Sequence, residues 1–96
     1  HQDHRGCYLA CLSATRDIEN VLCYETASVL NFKPSFHVDI SEDIGIKLKC
    51  LAQHESQQMN SLEIQDFVKM DALLKGGRLR KPGRFFESFE VLRMVL

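Results

Sequence analysis

The sequence predicts an α/β domain built in layers, with a mostly parallel sheet flanked by helices. Three observations lead to this fold class: short apolar runs of strand length, longer segments with apolar residues at helical spacing, and alternation of the two along the chain. With 96 residues, 45% of them hydrophobic and 26% charged, the chain falls in the range of one globular domain. At this length folding buries only somewhat more than ~60% of the unfolded surface, so we expect a modest core.

The first element is predicted to be a short helix, preceded by a polar loop over residues 1–6. Cys7 and Cys11 lie one turn apart, so one side of this helix can pack. The compact apolar run from Val21 to Tyr24 follows and predicts a buried strand.

The middle of the chain predicts a second strand and a helix. Residues 36–40 alternate apolar with polar side chains, as in a strand with one solvated face. Ser41 is predicted to cap the next helix, because acids follow it in the first turn and apolar residues recur at helical spacing up to about Gln57.

A second amphipathic helix and a closing strand complete the prediction. Ser61 is the capping residue, and Gly76 with Gly77 is expected to end the helix. The strongly apolar residues 85–96 predict a final strand.

Charge and hydropathy exclude several classes of partner. A net charge of −1 and a pI near 6.5 argue against the broad positive field that favours binding of nucleic acid or an anionic membrane. The basic run at residues 75–84 is interpreted as a solvated loop. Since no apolar run approaches ~18 residues, no membrane span is expected.

The four cysteines are Cys7, Cys11, Cys23 and Cys50, and none of them forms a C-x-x-C pair. With no secretory segment visible, reduced thiols in a cytoplasmic protein are expected. Free cysteines usually behave as small buried hydrophobes, which is the interpretation for all four.

The candidate chemistry is concentrated in residues 1–6, placed like the loops that bind ligands beyond the carboxyl ends of strands. His1 and His4 are three positions apart, and two such imidazoles can converge on one metal ion. With Cys7 and Cys11 they also form an H-x2-H-x2-C-x3-C set suited to a closed structural zinc site. A pair of solvated surface histidines is the third interpretation.

Several segments, in order along the chain, resemble motifs of the LmbE-like (PIG-L) zinc-dependent de-N-acetylases. The first five residues, HQDHR, look like the family's H-x-D-H-R motif. The other matching segments are NVLCYE at residues 20–25, VDIS at 38–41, Lys47 and Lys49, QHESQ at 53–57, and FFESF at 85–89, where the family has Y-A-E-x-F. The resemblance implies the C-terminal portion of a Rossmann-like layered fold.

The resemblance also implies an activity and residue roles. The family hydrolyses the N-acetyl group of N-acetylglucosamine-type conjugates, with zinc as the cofactor. His4 matches the family's zinc ligand, His1 matches the histidine that polarises the substrate carbonyl, and Asp3 is placed to orient and charge His1. Tyr24 and Glu25, at a strand end, are the candidates for positioning the substrate.

The sequence departs from the family pattern in one large respect. The H-P-D-D-E motif, which supplies two further zinc ligands and the general base, is absent. Residues 1–96 are therefore expected to be a single domain that is a fragment of a larger deacetylase domain, inactive alone. The open edge of its sheet is expected to be covered either by another copy of the chain in a homo-oligomer or by the missing N-terminal half. Phe85 and Phe86 stand where the family has tyrosine and alanine.

Two further interpretations remain from the sequence. One is a non-catalytic small domain stabilised by structural zinc, and the other is an interaction module with a dead site. His54 is expected to have a structural hydrogen-bonding role, and His37 to be solvated.

Overall fold

The computed structural model describes residues 2–25, 31–53 and 61–96. Over these ranges the chain forms a mixed α/β structure with three helices and three strands. In chain order the elements are α1 (Gln2–Ala14), β1 (Val21–Tyr24), β2 (Phe36–Asp39), α2 (Ile44–Ala52), α3 (Ser61–Arg78) and β3 (Phe86–Arg93).

The sheet has the strand order β1-β3-β2, so the last strand in sequence is the central one. β1 pairs antiparallel with β3, with Leu22 opposite Val91 and Tyr24 opposite Phe89. The register is irregular between Val21 and Leu22, as at a β-bulge.

β2 also runs antiparallel to β3. The backbone N–H of Ser35 donates to the carbonyl oxygen of Phe89 at 2.9 Å, and that of Ile40 donates to Phe85 at 2.8 Å. As the residue number rises on one side it falls on the other, which is the antiparallel pattern. The expected mostly parallel sheet is therefore not what these strands form.

The number of helices between β2 and β3 accounts for the difference. A parallel neighbour needs one crossover element that returns the chain to the end where the first strand began. Here two helices, α2 and α3, lie between the strands and pack against each other. The first helix returns the chain toward the end of the sheet where β2 began, and the second helix brings it again to the end where β2 finished. β3 therefore starts beside the end of β2 and runs antiparallel to it.

The chain divides into two compact units, and β3 contributes to both. The first unit comprises His1–Phe36 and Ser88–Leu96, and the second comprises His37–Glu87. Among the described residues of the second unit, the buried apolar side chains are Ile40 at 8% exposure, Ala72 at 2% and Phe86 at 7%. This small core agrees with the modest burial expected for the length.

Helix α1 starts earlier than the sequence predicted. The described part of the expected loop, from Gln2 onwards, is helical, and Gly6 does not interrupt it. A single glycine costs a helix only about 1 kcal/mol, which neighbouring turns can offset. Every side chain described in α1 is exposed, including Tyr8 at 43% and Leu9 at 53%, so its packing face is uncovered.

The start of α2 also differs from the prediction. Its N-cap is Asp43, whose side chain makes no capping hydrogen bond, whereas Ser41 was expected in this role. The Ser41 hydroxyl instead accepts a hydrogen bond from the Phe85 N–H at 2.9 Å. The described helix ends at Ala52; Gln57, the predicted end, lies outside the described residues.

Helix α3 runs through both glycines that were expected to stop it. Its last turn is closed by two hydrogen bonds, from the Lys81 N–H to the Gly76 oxygen at 2.8 Å and from the Arg80 N–H to the Gly77 oxygen at 3.1 Å. This is the pattern of a Schellman motif. The left-handed position of the motif is held by Arg80, with a φ of 62°.

Gly76 serves close packing instead of helix termination. A β-carbon at this position would lie 2.0 Å from the backbone oxygen of Arg84, a distance at which the two atoms overlap. Gly77 has nothing within 4 Å of the same position. Only the first of the two glycines is therefore required by its surroundings.

Candidate functional site

Asp3 and His4 lie on the first turn of α1 and are exposed. A carboxylate in the first turn is favoured by the partial positive charge of a helix N-terminus. His1, the expected carbonyl-polarising residue, lies outside the described residues. The structure thus positions two of the three charged or metal-binding candidates of the H-x-D-H segment.

The C-terminal end of α1 is hydrogen-bonded to Arg93, the last residue of β3. The Arg93 guanidinium donates hydrogen bonds to the backbone oxygen of Thr15 and, at 3.3 Å, to its hydroxyl. Arg93 lies opposite Val21, the first residue of β1. The end of the helix therefore adjoins the amino end of the strand.

Cys23 on β1 has a raised pKa. Burial is the main cause, and the charges of Glu90 and Cys11 raise it further. Cys23 is the third of the four residues of β1, one residue before the carboxyl end of the strand.

Tyr24 and Glu25 occupy that carboxyl end of β1. Tyr24 is 68% exposed and pairs with Phe89 in the sheet register. Glu25 follows the strand and is exposed. Both residues are accessible to a small molecule.

The described residues do not make a zinc site by themselves. Over residues 2–25, 31–53 and 61–96 there is no group of three or more histidine, cysteine or acidic side chains that could hold a metal ion. His4 offers one imidazole, and Cys7 and Cys11 do not converge with it into a three-ligand group. The alternative structural site depends on His1, which is not described.

The cysteines are more exposed than the sequence predicted. Cys7, Cys11 and Cys50 are exposed and Cys23 is half-buried, so the expectation of four buried thiols is wrong. The reason is that their helices leave those faces uncovered. The thiols of Cys7 and Cys11 are hydrogen-bonded, and this contact is the main cause of the raised pKa of Cys11.

One charged pair was not assigned any role from the sequence. Lys47 donates to the Glu87 carboxylate at 2.6 Å, beside a shallow depression of about 290 Å³ that Ile40, Asp43 and Ile46 also line. Lys47 and Glu87 both fall in segments that resemble family motifs. Their shared position in family motifs was the one feature of the sequence from which this contact could have been predicted, since the two residues are 40 positions apart.

Two histidines lie away from residues 1–6 in the sequence. His37 is exposed on β2, as was expected, and His54 lies outside the described residues. Among the helices of the described ranges, none has the length and apolar character needed to cross a bilayer.

Comparison with known proteins gives one relative of named activity. The chain is 40% identical over 58 residues to the uncharacterized deacetylase YaiS of Escherichia coli (strain K12), a match that covers 58% of this chain and 31% of YaiS. No protein-family model matches the chain. No solved structure matches it either. The sequence is thus related to a deacetylase over part of its length, and it spans less than a third of that protein.

Proposed function

From this relationship to a deacetylase, we propose that the chain is the C-terminal part of an LmbE-like (PIG-L family) zinc-dependent de-N-acetylase. Its substrate would be an N-acetylglucosamine-type conjugate. The observation that carries the proposal, beside that relationship, is the position of Asp3 and His4 on the exposed first turn of α1. Loops and helix starts at the carboxyl ends of strands are where α/β domains bind ligands.

The proposed roles follow from the chemistry of each side chain. His4 is the zinc ligand, because a neutral imidazole exposed at a helix start can reach a metal held jointly with other segments. His1 stabilises the negative charge that develops on the acetamide oxygen, and Asp3 favours the charged imidazolium. Bound zinc would polarise the carbonyl and lower the pKa of a water molecule.

Tyr24 and Glu25 are proposed to position the sugar. A phenol and a carboxylate offer the donor and acceptor that sugar hydroxyls require. The 68% exposure of Tyr24 leaves its ring accessible to a ligand at the strand end. Tyr24 is the last residue of β1 and Glu25 follows it.

The proposal requires residues from outside the described part. One imidazole is too few for a catalytic zinc, which usually has three protein ligands and an open position. The match to YaiS covers 31% of that protein, which is compatible with two further ligands and a general base contributed by another segment. We therefore expect the 96 residues alone to be inactive and to bind zinc weakly.

The test is acetate release from an N-acetylglucosamine conjugate by the protein expressed from its complete open reading frame and loaded with zinc. His4→Ala should reduce the rate more than ~100-fold, beyond the loss typical of outer-shell changes. His37→Ala is the matched control, because this histidine is also exposed but lies on β2. Absence of acetate release, or an unchanged rate in His4→Ala, would overturn the proposal.

The structural-zinc alternative makes a different prediction for the 96-residue chain. A closed zinc site contributes folding free energy on the order of 10 kcal/mol, so its removal would unfold the chain. We expect the circular dichroism spectrum to be unchanged by a chelator. Unfolding by chelator, reproduced by Cys7→Ser, would support the structural site instead.

A further inference from the structure

Cys7 and Cys11 form an exposed pair of thiols on one face of α1. They are separated by four residues in a regular helix, so their β-carbons are about 5–6 Å apart and their side chains point the same way. Both are exposed, and the two thiols are in hydrogen-bonding contact. Neither residue has a role in the proposed deacetylase chemistry.

The spacing of Cys7 and Cys11 suits a single bridging atom. Two sulfurs that each lie about 2.3 Å from one ion, at a tetrahedral angle, are about 3.8 Å apart. Side chains four residues apart on a helix can reach that separation by rotation of the side chains, with the helix unchanged. Both sulfurs would be deprotonated, and thiolates are the ligands that select soft metals.

A direct disulfide fits the same pair less well. The β-carbons of a disulfide are about 3.5–4.5 Å apart, which is shorter than the helical spacing of about 5–6 Å. Joining the sulfurs directly would therefore distort the second and third turns of α1. A bridging atom adds the missing length and leaves the helix intact.

We propose that Cys7 and Cys11 are a chelating dithiol that captures one soft metal or metalloid centre across a turn of α1. The site is two-coordinate in protein ligands, since the described residues contain no group of three. An aryl arsenoxide is the matching probe. Its arsenic exchanges one doubly bonded oxygen for two sulfurs, the two thiol protons leave with that oxygen as water, and the oxidation state of arsenic is unchanged.

The experiment treats the reduced 96-residue chain with phenylarsine oxide and measures the adduct by intact-mass spectrometry. One arsenical per chain is expected, with loss of two thiol hydrogens. It should survive a wash with a monothiol and be removed by ethanedithiol, because two bonds must be exchanged together. The helical circular dichroism signal should be kept or increased.

Substitutions locate the site. Cys7→Ser and Cys11→Ser should each abolish the wash-resistant adduct, whereas Cys50→Ser, another exposed thiol on a helix, should retain it. His4→Ala should also retain it, which separates this site from the proposed zinc site. Retention in Cys7→Ser would mean that Cys11 is bridged to another cysteine, and it would overturn the proposal, as would loss of helical signal on binding.

Discussion

The carboxylate of Asp39 joins the end of β2 to the segment that leads into β3. It accepts hydrogen bonds from Arg84 Nε at 2.8 Å and from the Ser41 N–H at 2.9 Å. The bond from Arg84 is the largest cause that lowers the pKa of Asp39 to about 2, and Ser41 adds to it. The charged form of Asp39 is therefore favoured by folding.

This shift predicts a loss of stability in acid. Because the folded pKa is about 2 and the ordinary value is 3.8, the contribution is complete above about pH 4 and is lost as the pH falls toward 2. Urea midpoints measured from pH 6 to pH 2.5 should show Asp39→Asn less stable than the wild type at pH 6. The difference should shrink with falling pH, and a constant difference would contradict the prediction.

Arg80 gives a second prediction for a single residue. Its φ of 62° is unfavourable for a residue with a side chain, at a position in the Schellman motif that usually holds glycine. Arg80→Gly should raise the free energy of unfolding by about 0.5–1 kcal/mol, measured by urea denaturation. Gly83→Ala, at a φ of 82°, is the opposite control and should lower it.

Single residues were predictable where their role depends on near neighbours. The exposure of His37 could be predicted from the polar alternation along β2, whereas Ser41 could not be assigned correctly. Its hydroxyl is used by Phe85, 44 positions away, and no local pattern reveals such a partner. Exposure of Cys7 and Cys11 was missed for a related reason, since burial depends on what covers a helix.

At the scale of elements, the two glycines of α3 make a matched pair. Gly76→Ala should destabilise the protein by about 1–3 kcal/mol, because the new methyl group overlaps the backbone oxygen of Arg84. Gly77→Ala, in open space one residue later, should stabilise it by up to about 1 kcal/mol through helix propensity. Thermal or urea unfolding of both variants measures the contrast, and equal effects would refute the close approach.

The sequence predicted the six elements better than their arrangement. Apolar periodicity marks β1, β3 and the helices because it reflects which faces are covered. It does not encode which strands pair, and so the antiparallel pairing of β3 with both neighbours was missed. The start of α1 was predicted too late in the chain, because a run of polar residues without apolar periodicity resembles a loop in the sequence.

For the whole molecule, uncovered apolar surface is the main feature. β1 is an edge strand of the described sheet, and Leu22 at 38% and Tyr24 at 68% are exposed on it. Phe67 and Met70 on α3 are 65% and 66% exposed. Unpaired strand edges and apolar patches of this kind recruit other chains.

We therefore predict that the 96-residue chain associates in solution. Light scattering over a range of micromolar concentrations should show a mass that rises above that of the monomer. Leu22→Lys, which places a charge on the β1 edge, should reduce the association. Asn31→Lys, at an exposed position outside the strands, is a charge-matched control. A folded, monodisperse monomer at all concentrations would show that these surfaces need no partner.

The central position of β3 also bears on the order of folding events. α2 and α3 pack on each other through contacts close in sequence, so they can assemble early. β1 and β2 are not neighbours in the sheet, and neither has a strand partner until β3 arrives from the far end of the chain. Sheet formation is then a single late event, limited by the closure of two long loops, and until it occurs both outer strands are open to other chains.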